Sequence, residues 1–113
     1  MENSGVILHA QLADWPTKDE MTSILRAAGL RIVVGRYSIR IEDCSHFSFE
    51  HYGGDICEPS VVADCDTLEK MLLDAKLVSA ALSNGGIKHR FEVYNSADEM
   101  IGYMHFDWPR TDV

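Results

Sequence analysis

Cys44 and His46 form a C-x-H arrangement, with Cys57 and Cys65 downstream, and these residue types could hold a soft metal ion such as zinc. Structural zinc sites use paired C-x₂₋₄-C or H-x₃₋₅-H knuckles, because two ligands on one tight turn are already set at tetrahedral angles. No such knuckle is present. On one strand Cys44 and His46 would share a face about 7 Å apart at Cα, with no third ligand in evidence. The sequence therefore predicts no metal site and no cofactor, and the cysteines read as small hydrophobes.

His46, Ser48 and Glu50 would lie in line on a strand face and superficially offer a base, a nucleophile and an orienting acid. A working triad needs nucleophile and base in hydrogen-bond contact, usually from different elements, with donors nearby for the oxyanion. Consecutive same-face positions on a strand point parallel instead, so no catalytic residue is assigned and the chain is expected not to be an enzyme. His89 and Arg90 open a later strand, and Tyr103, His105 and Asp107 share a face of the last one. Together with His46, the pair Tyr103 and His105 is the alternative ligand-binding set, a pocket wall of aromatic bodies with polar tips that would make the chain a small-molecule binding protein or minor enzyme. The simpler reading is a solvated face with aromatic cross-strand pairs.

Gly53-Gly54 and Gly85-Gly86 lack the G-K-[ST] of a P-loop and the G-x-G-x-x-G fingerprint, so they read as turns. Asp64-Cys65-Asp66 lacks the remaining oxygen ligands of a calcium loop.

What stands out is acidity. Between Glu42 and Asp74 nine carboxylates face one cation, Lys70, so the whole net charge of −8 sits in that window. Asp66 and Glu69 can stabilise a helix N-terminus through the macrodipole, but the rest read as a docking face. A local excess of one sign bears on partners and encounter rates rather than on fold. It disfavours direct nucleic-acid binding, which needs a basic patch, and fits a basic protein partner. The expected contact residues are Asp43, Glu50, Asp55, Glu58 and Asp64, with Phe47, Tyr52 and Ile56 as apolar anchors among them. Size and charge asymmetry invite a general analogy with inhibitors and immunity-type proteins. A homo-oligomer that pairs strands edge to edge is a third reading.

The composition is that of an ordinary globular chain, with 46% apolar and 25% charged residues. At 113 residues it reads as a single domain over 1–113 that can bury roughly two thirds of its unfolded surface. No apolar run approaches the ~20 residues of a membrane span, and Met1-Glu2-Asn3 lacks a cationic signal region, so a cytoplasmic, membrane-free protein is expected. Three cysteines cannot all pair within one chain, which favours reduced thiols.

These residues must be positioned by a small set of elements. Thr17 and Glu20 form a capping box before Met21, Ile24, Leu25 and Ala28, and Gly29 follows, which predicts a helix over 17–29. The period then changes to two over 32–42, with Val33, Tyr37, Ile39 and Ile41 on one face. Phe47 and Phe49 alternate in a second strand, and Val61 to Cys65 make a third. An acidic capping box at Asp66 and Glu69 opens a helix over 67–83, stopped at Asn84-Gly85-Gly86. His89 to Tyr94 and Met100 to Asp107 form a closing hairpin. Residues 1–15 read as a loose terminus or an edge strand. The expected fold is α+β, an antiparallel sheet of about five strands with two helices on one face, in the order α-β-β-β-α-β-β.

Overall fold

A computed structural model of the chain describes residues 5–44, 46–52 and 59–107. Its elements run β1 (Val6–Leu12), α1 (Lys18–Ala27), β2 (Ile32–Val34), β3 (Ser38–Ile41), β4 (Phe47–Glu50), β5 (Ser60–Cys65), α2 (Leu68–Asn84), β6 (His89–Tyr94) and β7 (Met100–Phe106). All seven strands form one antiparallel sheet in the order β2-β3-β4-β5-β1-β6-β7. The α+β class is as expected, but the strands number seven rather than five.

Two corrections account for the difference. The N-terminal segment is neither a loose terminus nor an edge strand, because β1 lies between β5 and β6 and pairs with both. Val6, Leu8 and Leu12 are buried on one side, while Ile7, His9 and Gln11 face out. The contiguous run Val6-Ile7-Leu8 masks that alternation. Residues 32–42 are likewise not one strand. The chain reverses at Gly35-Arg36-Tyr37, where the Gly35 N–H donates to the Ser38 carbonyl (2.8 Å). Lys18 Nζ holds the turn from α1 by donating to the Gly35 and Arg36 carbonyls. The reversal changes the face assignment. Val33 pairs with Arg40, while Ile32 and Val34 pair with the buried Ile41 and Ile39.

Both helices begin on threonine caps. Thr17 and Glu20 make the reciprocal box, with the Glu20 N–H donating to Thr17 Oγ1 (3.1 Å) and the Thr17 N–H to Glu20 Oε1 (2.9 Å). For α2 the cap is Thr67, whose Oγ1 accepts from the Lys70 N–H (3.2 Å), not the expected Asp66. No helix among the described residues is long and apolar enough to cross a membrane.

The helices share one face of the sheet. Phe47, Phe49, Phe91, Ile39, Ile41 and Leu8 meet Met21 and Leu25 of α1 and Met71, Ala75, Val78 and Leu82 of α2 in one buried cluster. At Gly85 the helices approach so closely that a Cβ would lie 2.8 Å from Ile24 Cγ2. Tyr52 ties the end of β4 to the start of α1, its hydroxyl donating to the Pro16 carbonyl while Trp15 packs edge-on at 5.1 Å.

His89, read from the sequence as part of a solvated sheet face, points instead into this core between Phe91 and Phe106. Its Nδ1–H donates to the Ile87 carbonyl (2.8 Å), which leaves Nε2 to accept from the Ser79 hydroxyl (2.7 Å). That set satisfies the neutral ring completely. Burial lowers the imidazole pKa below its ordinary value, outweighing the Ile87 bond, which favours the charged form. Since the folded pKa is depressed, the contribution to stability is present above the unfolded value of about 6.5 and lost as pH falls below it. Denaturant melts from pH 7.5 to 5 should therefore show decreasing stability, and His89→Gln should flatten the slope. Ser79→Ala, which strips Nε2 of its donor, should cost about 1 kcal/mol at pH 7.5.

Candidate functional site

The turn from β3 to β4 and the turn from β5 to α2 lie at the same end of the sheet, because β4 and β5 run antiparallel with Ser48 opposite Val62. There Glu42 and Asp43 come from the first turn, Asp64 from β5, Asp66 from the second turn and Lys70 from the first turns of α2. Two depressions of about 400 and 360 Å³ share His46 and Lys70 as common walls. Glu42, Asp43 and Cys44 border the first, and Asp64, Cys65, Asp66 and Thr67 the second.

Of the local cations, Lys70 and Arg31 are engaged by carboxylates, while the exposed Arg40 also lines the first depression. Lys70 Nζ lies 2.6 Å from Asp74 Oδ1, a carboxylate buried under the helix, and this hydrogen bond raises the ammonium pKa. Asp43 Oδ2 accepts from the Arg31 backbone N–H (2.7 Å) and Oδ1 from Arg31 Nε (3.0 Å). The backbone bond first, then the guanidinium, holds the Asp43 carboxyl below its ordinary value. His46 Nδ1 meets Asp64 Oδ1. Among the described residues, no cation pairs with the exposed Glu42, Asp66 or Glu69.

The expected contact residues divide. Asp43 and Asp64 belong to this end of the sheet. Glu50 does not: it pairs with Ser60, about 13 Å along β5 from Asp64, and accepts from the Ser48 hydroxyl (2.6 Å). Phe47 and Tyr52 are buried, the first because β4 turns its aromatic side to the helices and the second because it packs on Trp15 and Pro16. Asp55, Ile56 and Glu58 lie outside the described residues.

The alternative ligand set is not brought together. His46 precedes β4, while Tyr103 and His105 sit on β7, separated from β4 by β5, β1 and β6, about 19 Å across the sheet. Nor do His46, Ser48 and Glu50 stand in line. His46 lies before the strand at φ 50° and turns to Asp64, while Ser48 bonds Glu50. Cys44 and His46 also part, the first buried with Sγ 3.9 Å from the Asp74 carbonyl and the second exposed. Burial, then the nearby Asp74 charge, pushes the Cys44 thiol up to about 12. Among the described residues no group of three or more His, Cys, Asp or Glu is placed to hold a metal ion.

Sequence reasoning missed what β1 contributes to the open sheet face. Register aligns Val33, Arg40, Ser48, Val62, His9, Glu92 and Tyr103 in one transverse row. Beside it the Tyr94 hydroxyl donates to Glu92 Oε1 (2.8 Å), and the His9 ring meets Tyr94 edge-on at 6.0 Å. The alternation of Val6, Leu8 and Leu12 was the available signal for that placement.

Removing the Lys70 ammonium should expose the cost of the buried Asp74 carboxylate. Lys70→Met is expected to destabilise the fold by about 2 kcal/mol, below the range for a fully buried pair because the Lys70 side chain is 45% exposed. Lys70→Met with Asp74→Leu should recover most of that loss in urea melts, and no recovery would show that Asp74 is held mainly by other groups. The chain matches no family model, no curated protein and no solved structure.

Proposed function

We propose that this chain is a small protein-binding module that docks a basic partner through the acidic end of its sheet, in the manner of an inhibitor or immunity-type protein. The observation that supports the reading is the meeting of Glu42, Asp43, Asp64 and Asp66 around two contiguous depressions, although they come from separate stretches of chain. Lys70 and Arg31 are engaged by Asp74 and Asp43, so the exposed Asp66 and Glu69 keep their field for a partner, while Arg40 stands beside Glu42 in the first depression. A face of this kind steers encounter and rejects acidic competitors more than it sets raw affinity. Lysine or arginine side chains entering the depressions would meet Glu42 and Asp43 in the first and Asp64 and Asp66 in the second. The partner-binding set is accordingly Glu42, Asp43, Asp64, Asp66 and Glu69, with Phe47 and Tyr52 withdrawn because they are buried.

The test is capture from host lysate on the immobilised chain at low salt and at about 0.5 M salt, where the Debye length falls to about 4 Å. A basic protein should be retained at low salt alone. Glu42→Lys and Asp66→Lys, each at an exposed position, should weaken its binding roughly threefold to tenfold. Asp14→Lys, at the opposite end of β1, should leave it unchanged. Equal weakening by all three reversals would reduce the effect to net charge and reject the acidic end as the docking site.

A further inference from the structure

The two edges of the sheet differ in kind. β2 spans only three residues, Ile32–Val34, and the Arg31 guanidinium stands beside it on Asp43, so that edge is short and charged. β7 spans seven residues, Met100–Phe106, and carries no charged side chain and no proline. On one side it pairs with β6, and among the described residues no strand pairs with the other. Natural sheets blunt exposed edges with charge, proline, bulges or short length, and of these β7 carries only an irregularity near its start, which leaves the rest a template for another strand. The irregularity where β7 steps from Gly102 to Met100 against Val93 and Tyr94 confines the regular stretch to Gly102–Phe106.

We propose that this edge is a self-association surface, on which two copies of the chain pair antiparallel through Gly102–Phe106, centred on Met104. The sequence of the strand is self-complementary in that register. Tyr103 of each copy lies opposite the partner's His105, extending the ring contact that the two already make within one strand, 5.5 Å between centroids. Gly102 lies opposite the partner's Phe106, an aromatic covering a residue without a side chain. No like charges oppose one another, and the contact is isologous, so it closes at two copies rather than propagating.

The net charge of −8 would ordinarily resist self-association. Here Asp64 sits on β5, three strand spacings, or about 14 Å, from β7, and Glu42 and Asp43 lie farther out, after β3. Even the shorter distance exceeds the Debye length of about 8 Å at physiological ionic strength. Exposed Met100 (54%) and Tyr103 (45%) add apolar area on the strand itself. The acidic end stays free in the dimer, so this inference is independent of the partner proposed above.

Sedimentation equilibrium between about 10 µM and about 1 mM should show a mass rising from one chain towards two, as mass action requires. Tyr103→Lys with His105→Lys places lysines opposite each other twice in the dimer, at positions exposed in the single chain. The dissociation constant should rise roughly tenfold or more with the thermal midpoint of the dilute protein unchanged. Tyr103→Lys with His105→Glu restores opposite charges across the pair and should recover association in a salt-sensitive way. Hydrogen exchange in β7 should slow as concentration rises. A single-chain mass throughout, exchange in β7 that ignores concentration, or a dimer untouched by the double lysine variant would each overturn the proposal.

Discussion

Pairing of β1 on both of its edges is the constraint on which the rest of the architecture depends. On one side Val6–Ala10 matches Cys65–Val61, and on the other Ile7–Leu12 matches Tyr94–His89. Without that strand β2–β5 and β6–β7 would be two small sheets, each marginal alone. The same pairing explains both helices. α1 carries the chain from β1 to the far edge at β2, and α2 carries it from β5 across β1 to β6, so both must lie over the face where Leu8 is buried. Because antiparallel register is set residue by residue, a one-place slip of β1 would bring Ile7 and His9 into the core and expel Leu8.

Charge is arranged around this frame rather than within it. The fold buries a carboxylate, Asp74, and satisfies it with Lys70 four residues earlier on the same helix. It buries an imidazole, His89, and keeps it neutral between the Ser79 hydroxyl and the Ile87 carbonyl. Both solutions cost local groups their freedom to act elsewhere. Lys70 is the one cation of the acidic window, and its engagement under α2 leaves the surrounding carboxylates without a counter-charge from within that window. The resulting molecule has an acidic end contributed by the turn after β3, by β5 and by the start of α2, and at β7 an edge without Asp, Glu, Lys or Arg.

Much of the secondary structure was legible. The capping box at Thr17 and Glu20, the glycines at 29 and 86 with φ of 85° and 76°, and the alternation in β4–β7 are local signals, and the structure follows them. What could not be read were features that depend on neighbours. Phe47 and Tyr52 looked like anchors because aromatic residues among charges resemble an interface. Only the side of the strand facing the helices decides that they are core. The turn at Gly35-Arg36-Tyr37 escaped notice since apolar residues continue on both sides of it, and its stabilising lysine comes from α1. His89 looked like a surface residue from its polar neighbours, and its partner Ser79 is on another element.

The makeup of the elements, the mixed α+β class and the confinement of the excess negative charge to residues 42–74 follow from residue types and their spacing. Only the tertiary structure decided that β1 is central, that Asp43, Asp64 and Asp66 gather at one end while Glu50 does not, and that His46 stands apart from Tyr103 and His105. The physical reason is that strand order and register are set by long-range hydrogen bonding and by burial of one sheet face. Burial of one face leaves an alternation along each strand, but the identity of the neighbouring strand leaves no trace in residues adjacent along the chain.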